Sequence, residues 1–484
     1  EQTVNLPSTT SMVRIHPCPP KKRQFSSEEC RFFLFLHKIM LLCVGYCVNN
    51  FSQFLRMLIT HRFSSEICGL FTSLSNLFFP LNSRILGVIH IFTSPTAATA
   101  DFLFNLSHLT HKGVINTMKL VCSKSNLLKS VNIVLKAIPG KTTMPILECI
   151  LIDASTNNIK FTANDMELGI ETIVDGTILE KGIVAIDAKI FSDIIRKLPD
   201  NDVTIETDGN LTTTITCEKA KFSISGQSGE EFSYLPFVER DNHIIVSQFT
   251  LKEVIRQTIF SIAANENNKM MTGELFEVKG DMLRVVSLDG HRISIRKIEL
   301  KEEYSDIKVV VPGKTLIEIS KILSGETEDE VSIFFTKNHI VFEFDDTVVV
   351  SRLIEGEYFR IDQMLSSDYE TKIQVNKKEL LDCIDRATLL VKESDKKPII
   401  LSITDDNIEL KIQSQIGSMD EEIDINKEGK DIMIGFNPRF LIDALRVIDD
   451  ETVDIYLMNP KAPCFIRDEQ QSYIYLILPV NFMA

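Results

Sequence analysis

Apolar residues recur along this chain in two alternating rhythms. Ser125 to Ile138 (SNLLKSVNIVLKAI) sets Leu127, Leu128, Val131, Val134, Leu135 and Ile138 on one stripe, the spacing of a helix with one buried face. Leu251 to Ile262 and Lys377 to Val391 repeat it. A second pattern, a short apolar strand running into an amphipathic helix, occurs at Gly182 to Leu198, Ile307 to Leu323 and Ile432 to Ile448. Lys189, Lys314 and Arg439 hold the same place in it and lie 125 residues apart both times, while Leu127, Val254 and Leu380 of the first pattern are separated by 127 and 126. Such regularity predicts three copies of one domain.

Period-two runs between the helices predict strands, among them Ile159 to Thr162, Leu168 to Val174, Leu275 to Val278, Leu283 to Ser287, Ile293 to Ile298, Val348 to Leu353 and Ile474 to Leu478. Asp208-Gly209-Asn210 is a hairpin turn. Each copy reads strand, helix, strands, strand, helix, strands, so its halves resemble one another. The predicted class is α+β: three repeated domains, each with two helices on antiparallel sheets. The expected divisions are 118–240, 241–365 and 366–484.

Composition separates residues 1–117 from the rest. They hold 10 Lys/Arg, 5 Asp/Glu and half of the ten cysteines; the remainder holds 42 and 62, a net charge of −20. Phe32 to Val48 is apolar but interrupted by His37 and Lys38, so neither a membrane span nor a secretory signal fits. Met118 opens the repeated part directly, and the leading residues read as a non-native or unstructured extension. The later cysteines, Cys122, Cys149, Cys217, Cys383 and Cys464, form no CxxC pair and read as core residues of a cytoplasmic protein.

Charge shows what the helical faces are for. Lys189 with Arg196, Lys314 with Lys321, and Arg439 with Arg446 are each seven apart, two turns along one stripe. The acidic clusters, Glu299 to Glu303, Glu326 to Glu330, Asp420 to Glu422 and Asp449 to Glu451, are expected in turns or at strand ends. Basic helices on an acidic body predict a polyanion held at one surface and repelled from the others. Enzymatic motifs are missing. Gly140-Lys141-Thr142 and Gly313-Lys314-Thr315 end like phosphate loops, but Leu135 and Lys308 stand where the first glycine is required. His291 has no nucleophile arranged beside it, and no metal or cofactor is implied.

Residues 118–484 resemble the bacterial DNA polymerase III beta subunit, or sliding clamp. The resemblance rests on the threefold repeat, Met144 to Leu147, Leu288 to Ile293, Val309 to Lys314, Ile434 to Asn437 and Tyr475 to Pro479. It implies a non-catalytic processivity factor: a head-to-tail homodimer forming a six-domain ring around duplex DNA. It also implies DNA contacts at Lys141, Asn265, Lys269 and Met270. A groove for apolar peptides of the replicative polymerase, the clamp loader and repair proteins is implied at Met271, Leu288, Gly290, His291, Arg292, Ile293, Phe359, Met364, Leu476, Ile477, Leu478, Pro479 and Val480. Phe359 replaces the usual Pro of that groove, and the Asn481 to Ala484 ending departs from the family's. A scaffold of the same fold that does not encircle DNA is the alternative.

Overall fold

The computed structural model describes residues 117–264, 268–391 and 397–482. Expectations for residues 1–116 and for Asn265 lie outside the described residues. Six α-helices occur among them: α1 (Lys124–Val134), α2 (Ala188–Lys197), α3 (Gln248–Thr258), α4 (Gly313–Ser320), α5 (Lys377–Thr388) and α6 (Pro438–Val447). The caps follow the sequence. Ser123, Asp187, Ser247, Asn376 and Asn437 each accept a backbone N–H of the first turn with the side chain, satisfying a donor the helix cannot. The exception is α4, entered from Pro312 with no side-chain cap. Gly313 is the first helical residue there.

Helices α1 and α2, α3 and α4, and α5 and α6 pack as pairs. Each buries its apolar stripe on the sheets and its partner helix: Leu127, Val131 and Val134 of α1, for instance, sit in one cluster with Phe161 and Ile170 of the sheet and Phe191 of α2. All five described cysteines are buried and unbridged, and burial pushes the Cys122 thiol up to about 12 and Cys149 to about 11.

The sheets depart from six separate small ones. Strand Leu168–Val174 pairs antiparallel with Thr347–Arg352, fusing the first and second copies in a nine-stranded sheet. Arg292–Arg296 pairs with Tyr473–Ile477, fusing the second and third in a seven-stranded one. The second copy's predicted short strands merge into two long ones, Gly273–Leu288 and Arg292–Pro312, whose pairing shifts register on either side of Gly280. A residue with φ +60 is needed there, which glycine adopts without strain. Two acidic clusters fall inside strands instead of at their ends: Glu299 to Glu303 within Arg292–Pro312, and Asp420 to Glu422 within Ser418–Asp424. Their side chains are largely exposed, so strand geometry can carry them without desolvating charge.

Candidate functional site

The second junction is built on one tight turn. Asp289 Oδ1 accepts the backbone N–H groups of His291 (2.9 Å) and Arg292 (3.1 Å), and Gly290 takes φ +88 between them. The turn delivers Arg292 to a dense set of partners. Its Nε donates to Asp289 Oδ2 at 3.0 Å, Nη1 to Asp443 Oδ2 of α6 at 2.6 Å and Nη2 to the Phe260 carbonyl at 2.5 Å. Its guanidinium lies 4.5 Å from the Phe440 ring centroid and 5.3 Å from that of Phe260. A fork so fully engaged, and stacked on aromatic faces, fixes the second copy against the third.

Beside it, Ile293 opposes Leu476 across the junction, and the Leu478 N–H donates to the His291 carbonyl at 2.9 Å. Leu288, Ile293 and Leu476 belong to one buried cluster with Tyr358 and Ile361, onto which Met270, Met271, Phe359 and Leu365 pack partly buried. Around this floor Met364 is 55% exposed and Leu478 39%; Gly290 and His291 are exposed, Pro479 and Val480 half-buried. Ile477 is buried on the other side, in the third copy's core. The set therefore divides into a buried apolar floor and an exposed margin of Met364, Leu478, Gly290 and His291.

A carboxyl group lies beneath this junction. Glu274 is fully buried, both of its oxygens lack hydrogen-bond partners among the described residues, and burial pushes its pKa up to about 8. The nearby Thr258 hydroxyl donates instead to the Val254 carbonyl at 2.7 Å. Sequence reading passed over Glu274, because only strand register places it: Ile150 and Ile399 occupy the equivalent position, each opposite the residue that precedes the cap of the second helix.

The basic positions are all exposed: Lys141, Lys189, Arg196, Lys269, Lys314, Lys321, Arg439 and Arg446. Several carry carboxylate partners. Arg196 meets Asp193 at 3.4 Å, Lys321 meets Glu318 at 2.7 Å, Arg446 meets Asp385 at 3.2 Å, and Lys314 pairs with Asp165 of the first copy. The exposed pairs among these are weak and screened by salt, whereas the Asp165 side chain that meets Lys314 is only 6% exposed. Met270, by contrast, is turned partly into the junction cluster. Among the described residues no cluster of His, Cys, Asp or Glu could hold a metal, and no helix is long and apolar enough to cross a membrane.

Three fused copies of one α+β domain, each with a pair of helices on antiparallel sheets, define the clamp class of fold. Models of the DNA polymerase III beta subunit match in sequence: its N-terminal domain at residues 118–236, its central domain at 245–359 and its C-terminal domain at 362–481. The beta sliding clamp of Staphylococcus aureus (strain Mu50 / ATCC 700699) is 34% identical over 375 residues, covering 75% of this chain and 99% of that one. The sliding clamp of Bacillus subtilis, a crystal structure, has 34% identity, a TM-score of 0.73 and coverage of 75% and 99%. A chain assigned to the DNA polymerase III beta subunit of Eubacterium rectale ATCC 33656 has 73% identity, a TM-score of 0.74 and coverage of 75% and 100%. The chain belongs to the DNA polymerase III beta subunit family of sliding clamps, non-catalytic processivity factors.

Proposed function

We propose that two copies of this chain close head to tail into a ring of six domains around duplex DNA, and that the groove at the second junction captures apolar peptides of the replicative polymerase, the clamp loader and repair proteins. One observation carries the reading. Both junctions inside the chain join the third strand of one copy's leading half to the third strand of the next copy's trailing half. Applied once more, that rule leaves Ser418–Asp424 of the third copy and Ala220–Ser225 of the first, and both are sheet edges. An open edge is a template for another strand. The charges also complement: Asp420, Glu422 and Asp424 are exposed on one edge, Lys219 and Lys221 on the other. A ring so closed holds DNA by topology, and exposed Lys and Arg supply attraction to phosphate that reads no sequence.

The test is loading onto nicked circular DNA. Release when the circle is linearised is the expected result, while retention on the linear product, or no capture at all, defeats encirclement. For the groove, Leu478→Asp is expected to weaken an apolar polymerase-derived peptide by roughly tenfold or more, read by fluorescence anisotropy, without changing the oligomeric state.

A further inference from the structure

Beyond the groove, along the same two long strands, lies a cavity of about 210 Å³ between the second and third copies. It is smaller than the roughly 300–1,000 Å³ of sites for drug-sized ligands, so it suits a single functional group or a small ion. Its lining is cationic in a chain whose net charge is −15: Arg284, Lys297 and Arg467 face one carboxylate, Asp362.

Two independent features point to a missing anion. Arg467 is 8% exposed, and its contacts are neutral: Nη1 and Nη2 donate to the Ser366 and Ser367 carbonyls at 3.4 and 3.2 Å, and its guanidinium stacks 4.5 Å from the Tyr456 ring centroid. No carboxylate among the described residues lies within ion-pair distance of it, although a buried cation ordinarily has one. Guanidinium has five N–H groups, so donors are left over. Secondly, Arg284 and Lys297 are directly opposite one another across the strand pair. Like charges in that position repel unless something negative sits between them. Arg284 engages Asp362 at 2.7 Å and Glu277 at 3.3 Å, yet its Nε–H is buried without a partner.

We propose that this cavity is a binding site for one oxyanion, a carboxylate or phosphate group held by Arg284, Lys297 and Arg467. The group could be free in solution or borne on the acidic side chain of a bound protein. Both present the same chemistry, oxygen acceptors for a fork of charged donors. The site stands apart from the DNA-facing cations and needs neither ring closure nor peptide capture.

The experiment is equilibrium dialysis of the full chain against radiolabelled inorganic phosphate and, separately, glutarate, at constant ionic strength. One saturable site per chain is expected, with Lys297→Gln and Arg467→Gln each weakening it by roughly tenfold or more. Lys297 is only half-buried and has no carboxylate partner among the described residues, so its variant should keep the fold even where Arg467→Gln does not. Lys189→Gln, on a helix elsewhere, should leave that site unchanged. Preference for phosphate identifies a free ion as the occupant, and preference for glutarate identifies an acidic side chain. Absence of a saturable site for either probe, or binding that Lys297→Gln leaves intact, overturns the proposal.

Discussion

The two junctions inside the chain use the same strands of the repeat and finish in opposite ways. Both begin from one turn: Asp165 Oδ1 accepts the Glu167 and Leu168 N–H groups at 3.0 and 2.7 Å with Met166 at φ 76, as Asp289 does with Gly290 at φ +88. Four residues past the aspartate they diverge. The first copy has Gly169, where a Cβ would stand 2.1 Å from Leu235 Cδ2, and Leu235 lies with Val238, Val341 and Val350 over the sheet. The second has Ile293 in the groove floor, with Met364 and Leu478 left exposed above it. At the first junction the connecting segment covers Gly169 with Leu235; at the second it packs Tyr358, Phe359, Ile361 and Leu365 onto the cluster and leaves Met364 and Leu478 exposed.

The largest expected effect comes from breaking the third junction proposed above, between two copies of the chain in the proposed dimer. Lys221→Glu with Phe222→Asp removes an exposed aromatic ring and sets acid against the acidic strand Ser418–Asp424. Losing one buried Phe at each of two interfaces should weaken the dimer by roughly a hundredfold or more. Sedimentation velocity should show monomer with unchanged far-ultraviolet dichroism; an intact dimer would place the junction elsewhere.

Next in size is the asymmetry beneath the second junction, where Glu274 replaces the isoleucine of the other copies. Its carboxyl stays protonated in the folded chain up to about 8, whereas an ordinary glutamate releases its proton near 4.5. Between these values the folded state binds the extra proton, so stability falls as pH rises through the window and levels off above it. Glu274→Gln should flatten that fall. Glu274→Ile should also raise stability at the alkaline end, on the order of a few kcal/mol, as urea unfolding across the window would record. A parallel pH profile in the wild type and Glu274→Gln would show that another group titrates.

A smaller effect tests the seal itself. Gly169→Ile, the second copy's residue placed in the first, should cost about 1–3 kcal/mol by overpacking against Leu235. Adding Leu235→Ala should recover part of that loss, because the obstructing atom is the end of a half-buried side chain. Additive unfolding energies in the double-mutant cycle would mean that the two side chains do not meet.

The repeat, the helices and the fold class were legible in sequence because they depend on local period, and period survives wherever one face is buried. The residues proposed for the groove rest on the family resemblance, since Met271 or Leu478 alone reads as core. What stayed hidden depends on register. Nothing in Gly273-Glu274-Leu275 tells that the carboxyl points inward, and the facing of Arg284 and Lys297, 13 residues apart, exists only once their two strands are paired. The Asp443, Phe260 and Phe440 contacts of Arg292 are tertiary in the same sense. The acidic clusters inside strands were hidden for a related reason: a run of acids resembles a turn until pairing with Gly273–Leu288 or with Asn407–Gln413 carries the strand through it.

The smallest expected effect concerns the surface that both junctions leave untouched. Lys141 and Lys269 are exposed, on the segment after α1 and on the short helix Lys269–Thr272 after α3, and neither has a carboxylate partner among the described residues. Unlike Arg196 or Lys321, they need not exchange an internal ion pair for a phosphate. If both touch DNA, Lys141→Ala with Lys269→Ala should lower the slope of log affinity against log salt by about one per residue, with the loss spread evenly over sequences. Retention time on circular DNA, measured across a salt series, gives that slope. The same pair of substitutions on Lys321 and Arg196 should change it less, since those cations are already partly neutralised. Equal changes in the two pairs would mean that surface ion pairing does not set which cations meet the phosphates.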